Sequence, residues 1–169
     1  MKRFLGFIVV MSLLSFPVIA QDYPKAEIFG GYQFLHSEGE NFNGWNASLT
    51  GNVNKAFGVT GDFSGSYKTI SGIDFKVYTY TGGPVLNLNH EGTVNPFVHA
   101  LFGGAHFVGS AGEASASLNG FTMMYGGGAD VKMSKLVALR GQVDWVYYHV
   151  SGANSSKNVR LSTGFVFRF

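Results

Sequence analysis

The sequence has 169 residues, enough for one domain, and it carries 12 Lys and Arg residues against 10 Asp and Glu residues. The chain has no cysteine, which excludes disulfides and thiolate metal sites. Charged residues are 13% of the chain, about half the usual share in soluble domains, while aromatic residues are 15% and glycines number 24. This composition suits strands and tight bends better than helices.

Residues 1–20 have the pattern of a secretory signal peptide. Lys2 and Arg3 precede an apolar run, and small residues lead to a cleavage site after Ala20. The run is shorter than the ~20 residues that a membrane-spanning helix needs. Without Lys2 and Arg3, the predicted mature domain at 21–169 has 10 basic against 10 acidic residues, so its charge gives no reason to expect a nucleic-acid partner.

Eight segments of the mature domain alternate with a period of two, and no helical period persists. In chain order the predicted strands are 25–36, 45–53, 57–67, 75–86, 94–107, 121–132, 137–147 and 158–169. The alternation leaves open which faces residues 82–84 present, and residues 94–107 are apolar at both parities. The register between residues 75 and 107 is therefore not predicted.

The predicted connections alternate in length along the chain. Those at 54–56, 87–93 and 133–136 are short or moderate, and those at 37–43, 68–74, 108–119 and 149–157 are longer or more polar. Short turns at one end and longer loops at the other are typical of outer-membrane barrels. The pattern predicts an all-β fold, an eight-stranded antiparallel up-and-down transmembrane β-barrel, with both termini at the periplasmic end.

A soluble barrel is the alternative for eight alternating strands, and the two differ in which face is apolar. A soluble barrel has an apolar interior and a charged exterior, whereas a membrane barrel has a polar interior. Here the polar faces carry mainly Ser, Thr, Asn and Gly, and large aromatic residues such as Trp45, Tyr147 and Phe167 lie towards strand ends. Together with the signal peptide, these features favour the membrane barrel.

Charged residues on the polar faces are the candidate site residues: Glu27, Asp62, Asp130, Arg140, Asp144, Arg160 and Arg168. Sequence position places three pairs on neighbouring strands: Asp130 with Arg140, Asp144 with Arg160, and Glu27 with Arg168. Asp62 has no evident neighbouring partner, and we expect it to reach across the lumen to Arg140. Because a buried charge needs a partner, we interpret these residues as pairs that neutralise one another in the lumen. The alternative interpretation is an ion gate.

Four stretches of the sequence resemble a known family. They are AEIFGGYQFL in the first predicted strand, GWNASLTGNVNKAFGVTGDFSGSY across the second and third, NPFVHALFGGAH in the fifth, and LSTGFVFRF at the end. With these stretches the chain resembles the small eight-stranded outer-membrane β-barrel proteins related to the transmembrane domain of OmpA. The resemblance implies a bacterial outer-membrane location and a terminal aromatic signal read by the outer-membrane assembly machinery. That signal maps onto Phe169, with Phe165 and Phe167 on the same face.

The segment His149-Val150-Ser151 resembles the His and Ser of lipid A deacylases, which are also small outer-membrane barrels. Those enzymes orient the His with a later acid, whereas no Asp or Glu follows Asp144 here, and Thr163 and Gly164 stand on the last strand instead. We interpret the pair as a chance occurrence and expect no enzyme. Gly126-Gly127-Gly128 lies within a strand and is not a phosphate loop. The five histidines show no metal-ligand spacing.

These observations predict a structural or surface-interaction protein of the outer membrane, with a lumen filled by polar side chains and ion pairs. A narrow gated ion pore is the alternative, and a lipid A-modifying enzyme is a distant third. The expected partners are outer-membrane lipid, lipopolysaccharide and the assembly machinery. The protein is expected to be a monomer without a nucleic-acid partner, a metal or a cofactor.

Overall fold

The computed structural model describes residues 23–70, 72–89, 92–112 and 114–169, so the predicted signal peptide lies outside the described residues. The strands, in chain order, are β1 Ala26–Ser37, β2 Glu40–Asn52, β3 Phe57–Ile70, β4 Ile73–Asn87, β5 Val94–Ala111, β6 Ala114–Lys132, β7 Val137–Val150 and β8 Ala153–Arg168. Each strand pairs antiparallel with its neighbours, and β8 pairs with β1, which closes the barrel. The predicted eight-stranded up-and-down barrel is confirmed. No helix in the described ranges is long and apolar enough to cross a membrane.

The first and last strands pair along almost the whole length of β1, which closes the barrel. Their pairing runs from Glu27 opposite Arg168 to Ser37 opposite Asn158. The N–H of Phe169 donates to the carbonyl of Ala26 at 2.9 Å, and backbone N–H groups near the start of β1 donate back to the Phe169 carbonyl. The C-terminal residue is therefore held in the sheet through both of its backbone groups.

The prediction of longer loops at one end of the barrel is wrong. Only two residues separate β1 from β2, β3 from β4, β5 from β6, and β7 from β8. We call this end the hairpin end. At the other end, the terminal end, the start of β1 and the end of β8 lie beside the connections at 53–56, 88–93 and 133–136. The polar segments taken for loops continue as paired strands, because a strand that projects beyond a membrane is polar on both faces.

Apolar side chains cover the outside of the wall, and polar side chains face inward. Leu49, Phe63 and Phe165 point outward and are 57%, 54% and 49% exposed, whereas the adjacent Ser48 and Asp62 point inward and are buried. This is the arrangement of a membrane barrel rather than a soluble one.

The structure also assigns the faces that the sequence left open. In β4, Val85 points inward and Pro84 outward. In β5, the inward side chains include Phe97, Leu101 and Ala105, which are all buried. The strand is apolar at both parities because its lumen face is apolar as well as its outer face.

Rows of paired residues climb around the barrel because the strands are tilted. A row that starts at Glu27 passes through Thr50 and Thr60, continues to Asn158, and returns to β1 at Ser37. After crossing all eight strands, the row therefore returns to β1 ten residues further along the strand than it started. Residues on different strands therefore lie at the same height along the barrel axis only when this climb has been subtracted.

The lumen is not polar throughout, which corrects part of the predicted filling. Towards the hairpin end, seven buried residues form an apolar cluster: Leu35, Val77, Leu101, Ala105, Met124, Val146 and Tyr148. Phe42 and Phe107 pack against this cluster, and the rings of Phe107 and Tyr148 meet edge to face at 5.2 Å. We call the cluster the apolar layer. It covers the hairpin side of the lumen.

Tyrosines and tryptophans on the outer surface gather in the hairpin-side half of the wall. They are Tyr32, Trp45, Tyr67, Tyr78, Tyr80, Tyr125, Trp145 and Tyr147. Trp45 Nε1 donates to the Tyr67 hydroxyl at 3.0 Å, and Trp145 Nε1 donates to the Ser156 carbonyl at 2.6 Å. We call this set the aromatic girdle. Such amphipathic rings mark the level of a membrane–water interface.

Candidate functional site

Four charged side chains meet in the lumen near the terminal end and form the terminal cluster: Glu27, Asp130, Arg140 and Arg168. Arg140 donates from Nε to Asp130 Oδ1 at 2.7 Å and from Nη2 to Asp130 Oδ2 at 2.8 Å. Arg140 Nη2 also donates to Glu27 Oε2 at 3.3 Å, and Arg168 Nη2 donates to Asp130 Oδ2 at 2.9 Å. All four side chains are buried. Two acids and two arginines therefore compensate one another in a single group.

Two aromatic rings fix the position of Arg140. Its guanidinium carbon lies 5.4 Å from the centre of the Phe29 ring and 4.5 Å from that of Phe97. Cations are attracted to the faces of aromatic rings. The terminal cluster is thus held by packing as well as by its own hydrogen bonds.

A second group, the mid-lumen cluster, is centred on Arg160, which is 1% exposed. Arg160 Nη1 donates to Asp62 Oδ1 at 2.6 Å, and its Nε donates to Asp144 Oδ2 at 2.8 Å. The expected contact between Asp62 and Arg140 is therefore wrong. Arg140 is held near the terminal end by Asp130 and Glu27, whereas Arg160 extends across the lumen to Asp62.

Sequence reasoning missed His99 as a member of the mid-lumen cluster. His99 Nε2 lies 2.6 Å from Asp144 Oδ1, and the His99 side chain is 5% exposed. Because a carboxylate oxygen only accepts, this ring nitrogen carries the hydrogen. The alternation of β5 could not show that His99 faces inward. The number of charges could have indicated a further basic residue, because two acids, Asp62 and Asp144, share one arginine in the middle of the lumen.

Two amides complete the mid-lumen cluster. Asn46 Nδ2 donates to Asp62 Oδ2 at 2.9 Å, and Gln142 Nε2 donates to Asp144 Oδ2 at 3.0 Å. Together with Arg160 and His99, these side chains connect β2, β3, β5, β7 and β8. The arrangement braces five strands across the lumen, and its imidazole and carboxylates are enclosed rather than open to a substrate.

A cavity of about 10 Å³ lies between the two clusters. Its lining includes Glu27, Asp62, His99, Arg140 and Gln142. A space of this size holds roughly one water molecule. With the apolar layer on its hairpin side, the lumen in the described part of the chain is packed closely.

The glycine run in β6 makes room for lumen side chains of β7. A Cβ atom at Gly126 would lie 2.4 Å from Asp144 Oδ1 and 2.2 Å from the Val143 carbonyl, and one at Gly128 would lie 2.8 Å from Gln142 Cβ. These glycines therefore allow β6 and β7 to approach closely beside the mid-lumen cluster. This packing role explains why the glycine run stands within a strand.

Among the described residues, no acid is hydrogen-bonded to His149, so the structure does not supply the acid that lipid A deacylases use to orient their histidine. His149 Nδ1 is hydrogen-bonded to Asn154 Oδ1 at 2.5 Å. Ser151 lies in the turn between β7 and β8 with a φ of 49°. No hydrogen bond joins His149 to Ser151 among the described residues. Two other hairpins carry the same His–Asn pairing without a serine at this spacing, which identifies the pair as a repeated feature of the rim.

The three candidate signal residues Phe165, Phe167 and Phe169 lie on the outer face near the terminal end and are all exposed. None of them contributes to the lumen clusters. Within the described ranges, no three His, Asp or Glu side chains are grouped closely enough to hold a metal ion.

No protein-family model matches the chain, and no curated protein matches it. Several solved structures have the same fold. Neisserial surface protein A matches with a TM-score of 0.69 and 15% identity over 88% of this chain and 98% of its own. Ail, the attachment invasion locus protein of Yersinia pestis, matches with a TM-score of 0.62 and 22% identity over 87% and 99%.

The N-terminal β-barrel domain of Pseudomonas aeruginosa OprF also matches, with a TM-score of 0.62 and 10% identity over 87% of this chain and 99% of that domain. At these identities the likeness concerns the fold. The chain therefore has the fold of the small eight-stranded outer-membrane β-barrels, which is consistent with the resemblance of its sequence to OmpA-like barrels.

Proposed function

We propose that the protein is a monomeric outer-membrane barrel of a bacterium, delivered by the signal peptide at residues 1–20, with a structural or surface-interaction role. The observation that carries this proposal is the filled lumen. Two ion clusters and the apolar layer occupy it, and the cavity between the two clusters is about 10 Å³. A barrel without a free interior acts through its outer surfaces, namely the lipid-facing wall and the two ends.

The hairpin end offers a surface suited to interaction. β5 and β6 pair up to Ala111 and Ala114, but pairing between β6 and β7 begins only at Phe121. Residues 114–120 therefore present a strand edge that has no strand partner on the β7 side in the described chain. Such edges accept an extended peptide as an added strand. We propose that this edge is the contact site for a protein partner at the cell surface.

The names of two structural neighbours support a surface role, since one is a surface protein and the other an attachment invasion locus protein. The orientation is testable because the chain has no cysteine. A membrane-impermeant maleimide should label Ser115→Cys in intact cells, and it should label Lys135→Cys at the terminal end only after lysis. The opposite labelling pattern would reject the outward position of the hairpin end.

A narrow gated pore is the second candidate, and it rests on the charged lumen residues. Planar-bilayer recordings distinguish the two functions. The refolded protein should give no steady single-channel conductance at any salt concentration. A steady conductance that is lost in Arg140→Ala would favour the pore and contradict the filled-lumen proposal.

An enzyme that modifies lipid A is the third candidate, and its support is limited to His149 and Ser151. Lipopolysaccharide incubated with the protein should release no acyl chains, and His149→Ala should behave like the parent protein. Release of acyl chains that depends on His149 would establish the enzyme instead.

We also propose that Phe165, Phe167 and Phe169 form the signal for the outer-membrane assembly machinery. Their outward position near the terminal end of the barrel supports this role, because no lumen contact requires aromatic residues there.

A further inference from the structure

Three hairpins carry the same cross-strand pair on their outer face. The pairs join Nδ1 of a histidine to Oδ1 of an asparagine: His36 with Asn41 at 2.6 Å, His106 with Asn119 at 2.6 Å, and His149 with Asn154 at 2.5 Å. In each case the two residues are direct partners in the strand register. The repetition on separate hairpins indicates a shared environment around the barrel.

The remaining hairpin, β3–β4, has Lys76 on its outer face in place of a histidine. When the climb of the rows is subtracted, the positions of the four basic side chains along the barrel axis differ by no more than about two residues. We call them the basic belt: His36, Lys76, His106 and His149.

The basic belt lies next to the aromatic girdle on its hairpin side. On β1, His36 follows Tyr32 by four residues, and on β7, His149 follows Tyr147 by two. Tyr78, a third residue of the girdle, is the direct strand partner of His106. Because the girdle marks the membrane interface, the belt is at the level of lipid headgroups, where phosphate groups are concentrated.

The asparagines fix which nitrogen of each ring faces the lipid. A carbonyl oxygen accepts a hydrogen bond, so Nδ1 of each histidine carries a hydrogen, and Nε2 is the ring nitrogen that the asparagine does not contact. A partner that holds one ring nitrogen also orients the other. When protonated, Nε2 becomes an outward-directed donor with positive charge.

The strand partners of the three histidines are uncharged. Besides the asparagines, they are Val159 opposite His36, Tyr78 opposite His106 and Phe121 opposite His149. The acids described at this rim have contacts of their own: Glu38 with Ser155, Glu40 with Lys68, and Asp74 with Thr69. Lys157 is exposed at the same end. No described acid forms an ion pair with a belt histidine.

We propose that the basic belt binds the phosphate groups of lipopolysaccharide in the outer leaflet, and that it binds them more tightly when its histidines are protonated. This proposal rests on the proposed outer-membrane location with the hairpin end outward. It concerns the lipid-facing wall and not the strand edge at residues 114–120. Imidazolium and ammonium groups donate charge-assisted hydrogen bonds to phosphate oxygens.

The test uses the full mature chain refolded in detergent micelles and labelled lipopolysaccharide, with binding followed by fluorescence anisotropy. We expect binding about tenfold tighter near pH 5.5 than near pH 8, the size of one charge-assisted hydrogen bond. His36→Gln/His106→Gln/His149→Gln should bind equally at both pH values. Lys135→Gln, which removes an exposed charge at the terminal end, should keep the parent response.

Two lipid probes identify the ligand group. Lipopolysaccharide stripped of phosphate should lose the pH dependence, and phosphatidylglycerol should compete poorly. The proposal is overturned by a pH dependence that persists in the triple variant or with stripped lipopolysaccharide, and equal competition by phosphatidylglycerol would reject lipopolysaccharide as the partner. The maleimide labelling of whole cells tests orientation separately, so a failure of either proposal can be distinguished.

Discussion

Arg160 Nη1 lies 2.6 Å from Asp62 Oδ1, although the two residues are 98 positions apart and stand on β8 and β3. The same guanidinium bonds Asp144 on β7. One side chain thus connects three strands across the lumen, and its removal leaves two buried carboxylates without their arginine. For this reason we expect the mid-lumen cluster to contribute substantially to the free energy of unfolding of the barrel.

Replacing Arg160 with Met should lower the free energy of unfolding by about 3–5 kcal/mol, the usual cost of leaving buried charges unpaired. Urea unfolding in lipid vesicles, followed by the heat-modifiable gel shift, measures the change. The variant Arg160→Met/Asp62→Asn/Asp144→Asn removes the charges together and should recover most of the loss. Equal losses in the single and triple variants would show that the ion pairs are not the cause.

The apolar layer should keep the lumen closed even when the mid-lumen cluster is broken. Arg160→Ala should therefore give no steady conductance in planar bilayers. Adding Leu101→Ser and Met124→Ser to the same chain should produce conductance, because water can then enter the hairpin side. Steady conductance in Arg160→Ala alone would indicate that the cluster, and not the apolar layer, closes the lumen.

Gly126 and Gly141 should respond differently to alanine. A Cβ atom at Gly126 would lie 2.2 Å from the Val143 carbonyl, whereas one at Gly141 would have no atom within 4 Å. Gly126→Ala should cost about 1–3 kcal/mol through overpacking. Gly141→Ala is the matched control and should be neutral or stabilising by up to ~1 kcal/mol. The same urea assay compares them, and equal effects would disprove the packing role of Gly126.

Phe169→Ala should reduce outer-membrane levels without a comparable loss of stability. The backbone bonds of residue 169 to Lys25 and Ala26 remain in this variant, and the side chain is 58% exposed. Cell fractionation should show a severalfold decrease, while urea unfolding of the refolded variant stays within about 1 kcal/mol of the parent.

The matched control is Phe63→Ala, an outward Phe with 54% exposure on β3. It should insert normally, because it lies far from the C-terminal end of the chain. Normal levels of Phe169→Ala, or an equal deficit in Phe63→Ala, would mean that the terminal side chain is not the assembly signal.

The sequence by itself determined the number of strands, the outward and inward faces of most of them, and the charged cross-strand partners beside the β6–β7 and β7–β8 connections. The period of two assigns each side chain to a face, and a turn places residues on either side of it opposite each other, as with Asp130 and Arg140. The closing pair Glu27 and Arg168 follows from the need of a barrel to join its first and last strands.

Only the tertiary structure decided which side chains meet across the lumen. Asp62 contacts Arg160 instead of Arg140 because the strand tilt and the climb of ten residues set the heights of β3 and β8. Neither the strand tilt nor the climb of the rows can be deduced from the alternation within a single strand. The inward position of His99 was hidden for a related reason, since β5 is apolar on both faces where it passes the apolar layer. Period two specifies a face, while closure of the barrel specifies a partner.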